Sequence, residues 1–372
     1  MAGYQATKIF ILMLSMAFVL GCGGGGGIAQ MEEGRGDHSA TLLADGRLIV
    51  IGGRAGNVIK SVEVYDSVAN EWSPASPMAQ GRFAHSVTVL PSGLFLIVGG
   101  DKSTGANPLE SAELYDPAKD TWTSAGDMAY KHGEGHTATL LNNGTVLVTG
   151  GPSLIEGTKR VIAFSEVYDP ATNSWSSTGD MTEGRKGHIA TLLDDGTVLV
   201  VGTESVEVYD PATGTWSLAA EFAESHLEQF TATKLNDGRV LVAGGGQKGK
   251  YLAPDTLNHV DIYDPSTGEL TAANSMGAKR WDHTATVMSD GKLVMVGFKT
   301  AEIYDPATGN WTSAGEMPEG RGRSHTATLM SDGTILVVGG AKIDYTVAGL
   351  EVTRKGLTSS EVFDTAVPWE ED

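Results

Sequence analysis

Residues 165–175 read SEVYDPATNSW, and close variants of this string recur along the 372-residue chain, seven copies in all. Val, Tyr and Trp flank an Asp-Pro-Ala-Thr turn, in which proline presets φ and the aspartate can accept from the amides that follow. Each copy therefore reads as a strand, a tight turn and a second strand. Two more segments precede each copy. The first is clearest as RKGHIATLL at 185–193 and the second as DGTILVVGG at 332–340. The fourth segment runs from a tryptophan towards a methionine, as in WTSAGDM at 122–128. Turn glycines between the first two segments fall at Gly46, Gly93, Gly144, Gly196, Gly238, Gly291 and Gly333, spaced by 42 to 53 residues. A self-similar period of that size marks a repeat architecture.

The segments are short, rich in Val, Ile, Leu, Thr and Tyr, and bounded by turn residues, so each repeat predicts four antiparallel strands. Asp-Gly and Asn-Gly favour the tight hairpin between the first two. Segments such as TVLVTGG at 145–151 are apolar on both pleat faces and need cover on each side. Seven sheets packed face to face around an axis supply that cover, which predicts an all-β, seven-bladed β-propeller.

A glycine pair closing the second strand is followed by tyrosine at 65, 115, 168, 209, 263 and 304, with Phe363 in the last copy. Tryptophan follows at 72, 122, 175, 216 and 311; Leu270 takes its place in the fifth copy, and Trp369 comes one residue early in the seventh. This pattern resembles the kelch repeat and implies a kelch-like propeller over residues 31–372. Gly202-Thr203 and Gly297-Phe298 break the glycine pair in copies four and six. GIAQMEEGR at 27–35 aligns with GEMPEGR at 315–321, so the N-terminal segment is expected to help complete blade seven beside a strand starting at Pro368-Trp369.

The first residues read differently. Lys8, the apolar run at 9–20 and GCGGGGG at 21–27 have the layout of a secretory signal, too short for a membrane span. Val19-Leu20-Gly21-Cys22 resembles the bacterial lipobox, which implies a signal peptide over 1–22, lipidation of Cys22 and a glycine-rich tether over 23–30. No acidic residue follows Cys22 directly, which favours an outer-membrane or surface location. A lone cysteine excludes a disulfide-built fold. The formal charge of −20 argues against nucleic acid as a partner.

Little in the repeats predicts catalysis. Histidines at 38, 85, 136, 188, 283 and 325, with Phe230 in the fifth slot, sit at equivalent points of a ring, too far apart to share one ion. Each is expected to hydrogen-bond to a neighbouring turn. His132 and His136 in HGEGH lack the helix that a metal pair at that spacing needs. Glu63, Glu113, Glu166, Glu207, Glu302 and Glu361, with Asp261 in copy five, are expected to pair with the repeat arginine or with backbone amides. GGGQKGK at 244–250 imitates a phosphate loop, but Tyr251 replaces the magnesium-binding hydroxyl. Some kelch propellers resemble galactose oxidase, whose radical site needs a cysteine within the fold; here the sole cysteine is Cys22. The sequence predicts no cofactor and no metal.

Function is expected where the copies differ. Hairpins after the first and third strands form one monotonous rim. Connections after the second and fourth strands form a variable one, with long loops at 152–164, 246–258 and 341–359. Lys248, Lys250, Tyr251, Tyr345, Arg354 and Lys355, with Arg35, Arg82, Arg185, Arg280, Arg321 and Arg323 beside them, are candidates to bind an anionic or hydroxyl-rich ligand. The reading is a non-enzymatic envelope lipoprotein that binds a surface glycan or an envelope or extracellular protein. A carbohydrate-active enzyme, isomerase or hydrolase in type, and an inert structural component of an envelope complex are the alternatives.

Overall fold

The computed structural model describes residues 28–103, 107–226, 228–246, 256–322, 324–344 and 353–364. Blade 1 is a four-stranded antiparallel sheet of Ser39–Leu42, Leu48–Ile51, Val62–Asp66 and Glu71–Ala75. Blades 2 to 5 repeat it, beginning at Ser86–Val89, Thr137–Leu140, Ile189–Leu192 and Thr231–Lys234. In blade 6 the second and third strands fuse into one bent element, Leu293–Asp305, because only a short connection separates them. Blade 7 contributes His325–Leu329, Ile335–Gly339 and Ser360–Phe363; its expected outer strand lies outside the described residues. The innermost strands touch in sequence around the ring, last to first.

The second strand of each blade is the most buried, as its doubly apolar pattern requires. In blade 1, Leu48, Ile49, Val50 and Ile51 are all buried. Ile49 and Ile51 pack towards Phe95, Ile97 and Tyr115 of blade 2, while Leu48 and Val50 pack towards Leu336 and Val338 of blade 7. The period of two thus feeds two interfaces from one strand. Outer strands such as Ser174–Ser177 are mostly exposed, and there tryptophan is the anchor: Trp175 Nε1 donates to Ala125 O of the preceding blade at 2.8 Å.

The glycine pairs allow the blades to approach. Gly99 has φ +58, and a Cβ there would overlap His132 O and lie 3.1 Å from His136 Cε1, both in the segment leading into blade 3. Where the pair is broken, the connection is short: Gly202–Glu204 alone joins the second and third strands of blade 4.

The N-terminal segment joins blades 7 and 1. Ala29 O accepts from Trp72 Nε1 at 2.9 Å, as Ser76 O does from Trp122. Met31 N donates to Thr358 O, and Arg35 N to Leu357 O. Ala29 and Gln30, assigned to the tether from sequence, thus already belong to the fold, because Trp72 in blade 1 needs the carbonyl that Trp122, Trp175, Trp216 and Trp311 draw from the preceding blade.

Candidate functional site

Three connections on the variable rim form extra two-stranded hairpins: Arg54–Ala55 with Asn57–Val58, Pro152–Ile155 with Thr158–Val161, and Ala341–Asp344 with Thr353–Gly356. Blade 4 has none. Its connection lies low between the projecting hairpin of blade 3 and the chain leading into blade 5, and this leaves a cleft of about 550 Å³. Val161, Glu183, Lys186, Thr203, Glu204 and Glu228 are among its lining. A second cleft shares Glu183, Glu204 and Ser225 and continues outward to Glu221, Phe222 and Leu218. Together they form one groove across blade 4. Leu218 is 53% exposed, an apolar side chain in an acidic surround. Glu183 pairs with Arg185 at 3.0 Å, and Lys186 with Glu228 at 2.9 Å. Glu204 and Glu221 are exposed.

The arginines predicted as ligand-binding groups occupy a different place. Arg35, Arg82, Arg185, Arg280 and Arg321 are buried. Arg82 Nη1 donates to Gly99 O and Ser111 O, each at 2.9 Å, and Nη2 to Glu113 Oε1 at 2.9 Å. Arg35 pairs in the same way with Glu63, Arg185 with Glu207, Arg280 with Glu302 and Arg321 with Glu361. The glutamates also take backbone amides, as Glu113 does from Ala79 and Gln80. Each arginine starts on the rim, but its side chain runs inward, where its guanidinium donates to carbonyls at the strand ends and to the glutamate. Burial lowers the Arg82 pKa while Glu113 raises it. These cations tie the segment entering each blade to that blade's own second and third strands and are not presented to a ligand.

The ring histidines find their partners in the preceding blade. His85 Nε2 meets Ser39 Oγ at 2.9 Å, His136 meets Ser86 Oγ at 2.9 Å and His188 meets Thr137 Oγ1 at 3.0 Å. His283 meets Thr231, His325 meets Thr284, and His38 closes the circle on Thr326 Oγ1 at 3.0 Å. The hydroxyl stands at the start of the inner strand; the expected turn is met by His136, whose Nδ1 lies 2.9 Å from Gly133 O. Burial, then the charge of Arg35, pushes the His38 pKa down to about 3. Burial, then His136, does the same to His188, to about 3.

Of the remaining candidates, Lys248, Lys250, Tyr251, Arg323, Tyr345 and the lipidation candidate Cys22 lie outside the described residues. Arg354 and Lys355 sit in the blade 7 hairpin, opposite Ile343 and Lys342. Arg54, another rim cation, is turned inward: it pairs with Asp37 and stacks 4.1 Å over the Phe83 ring. Two features escaped the sequence reading: the acidic groove, and a cluster in blade 5 formed by His226, His259 and Asp261. The signal for the first was the shortness of the blade 4 loop. The second had two in-slot departures, histidine for arginine and aspartate for glutamate.

Ring, glycine pairs and tyrosine–tryptophan ladders define a seven-bladed β-propeller of four-stranded antiparallel blades. The Kelch motif matches residues 37–79 and 82–129, the first two of the seven blades. No curated protein matches the chain. Among solved structures, a novel fungal alcohol oxidase of the AA5 family in complex with copper is similar. Its TM-score is 0.70 at 20% identity, covering 89% of this chain and 75% of that one. At that identity the likeness shows the fold alone.

Proposed function

We propose that the protein is a binding module of the cell envelope, tethered through a lipid on Cys22, and that it holds a protein partner in the groove across blade 4. The observation that carries this reading is the groove itself, an open depression left by a short connection beside the hairpin of blade 3. Exposed Glu204 and Glu221 beside exposed Leu218 suit a segment carrying lysine or arginine next to an apolar side chain. The formal charge of −20 favours the same class of partner over an anionic one, which reverses the ligand polarity expected from the loop sequences. Kelch motifs support a role in protein interaction. The role proposed is binding without catalysis: Glu183 is engaged by Arg185, and Glu228 by Lys186. A surface glycan is the alternative ligand retained from the sequence.

A photo-crosslinking residue in place of Leu218 tests the placement, with one in place of Val68 as its control. Val68 is 96% exposed in the hairpin of the opposite, uniform rim of blade 1. Envelope protein should be captured from position 218 and not from 68. Equal capture at both, or capture at 68 alone, would remove the groove from the account.

A further inference from the structure

Blade 5 rewrites the ion pair that ties a blade's entry segment to its third strand. Blade 2 builds it from Arg82, Glu113 and, two residues before the glutamate, Ser111, whose hydroxyl accepts from Arg82 Nη2. The three corresponding residues in blade 5 are His226, Asp261 and His259. His226 is fully buried, Asp261 is buried, and the His259 side chain is 23% exposed. His226 Nε2 lies 2.8 Å from Asp261 Oδ2, and His259 Nε2 lies 2.9 Å from the same oxygen. One donor atom from each residue falls within 4.8 Å of the others. That spacing suits a single ion, since zinc bonds of about 2.0–2.1 Å in a tetrahedron set ligands roughly 3.3 Å apart.

The tautomer of His226 is a second, independent observation. Its Nδ1 lies 3.0 Å from Gly244 O, which can only accept, so Nδ1 carries the proton and Nε2 is the nitrogen left to meet a cation. Histidines that bind metals are oriented by such a bond. Blade 3 provides the contrast. His132 Nδ1 meets Gly150 O at 2.7 Å and its Nε2 faces Glu166 at 3.3 Å, but Phe164 stands where blade 5 has His259. Glu166 there also accepts from the amides of Ala129 and Tyr130. One proton suffices to join that pair. In blade 5 two imidazoles converge on one oxygen, and no backbone amide among the described residues donates to Asp261.

We infer that His226, His259 and Asp261 bind a divalent metal ion of the zinc type. Two imidazoles and one carboxylate favour zinc over magnesium or calcium, which take oxygen donors. The ion joins the segment leading into blade 5 to the start of strand Val260–Asp264, and the partly exposed His259 gives it access. Three protein ligands fill three of zinc's four positions, and the fourth goes to water or to a side chain of a partner.

The test is calorimetric titration of the chelator-stripped protein with Zn²⁺ alone, beside visible absorption with Co²⁺ alone. One ion per chain and the absorption of tetrahedral cobalt are expected. His259→Ser restores the residue of blades 1, 2, 4 and 7 and should weaken zinc binding by more than about tenfold. The triple variant H226R/H259S/D261E copies the blade 2 set, should fold, as judged by its circular dichroism and melting, and should bind no zinc. His132→Arg should leave zinc binding unchanged. Failure of the unmodified protein to take up zinc would overturn the inference. So would equal uptake by the triple variant, or loss caused by His132→Arg.

Discussion

Ile189 and Phe230 face the same interface, between blades 4 and 5, at the two positions where the other interfaces place a hydroxyl and a histidine. Both pack in the apolar cluster that joins those blades. The polar link around the inner ring is thus replaced at both ends in one place. Losing only one end would have left a buried imidazole or hydroxyl without its partner, a cost of about 1–3 kcal/mol.

The pair should therefore behave as a unit. Phe230→His alone should destabilise the protein by about 2–4 kcal/mol, through lost apolar packing and an imidazole set against Ile189. Adding Ile189→Thr should recover part of that loss, with a coupling of about 1 kcal/mol in a double-mutant cycle followed by urea unfolding. Strict additivity would show that the two positions do not communicate.

Arg82 braces the segment entering blade 2 against the second and third strands of that blade, so its loss should appear as instability and not as weaker ligand binding. Arg82→Ala removes donors to Gly99 O, Ser111 O and Glu113 and should cost about 3–5 kcal/mol. Arg82→Lys should rescue little, since one ammonium group cannot span the same acceptors. The urea midpoint reads both variants; a midpoint unchanged in Arg82→Ala would return this arginine to the rim.

Acid should loosen the ring. Burial holds the pKa of His38 and His188 down to about 3 and of His136 and His325 to about 4, against 6.5 for a free imidazole. A lowered folded pKa means that below about pH 6.5 the unfolded chain binds protons that the folded one refuses. The stability these groups contribute is complete above that pH and is lost as pH falls towards about 4, by roughly 1.4 kcal/mol per pH unit for each histidine. Melting temperature across that window should fall steadily. A flat or rising profile would mean that the histidines are charged within the fold.

The fold was legible because its signals are local and repeated. A doubly apolar strand such as TVLVTGG, a turn such as Asp169-Pro170 and the Tyr168–Trp175 ladder each act within one blade, and seven copies leave little ambiguity. The pairing of the glutamate row with arginine and amides was legible for the same reason. The direction of Arg82 was not. Chain position puts it on the rim, and only its bonds to Gly99, Ser111 and Glu113 show that its side chain turns inward. The groove was hidden because length draws attention to long loops, whereas the depression follows from a short one. His226, His259 and Asp261 escaped notice because each was weighed against its own column of the repeat; the information lies in three columns changing within one copy.

The central claim, that binding takes place across blade 4, is tested most directly by charge reversal in the groove. The Glu204→Lys/Glu221→Lys variant changes two exposed side chains on the groove wall and should fold normally, which its melting curve would verify. Its affinity for the partner captured through position 218 should fall at least about tenfold at low salt, with the difference narrowing as salt is raised. An affinity equal to that of the unmodified protein at low salt would contradict the account.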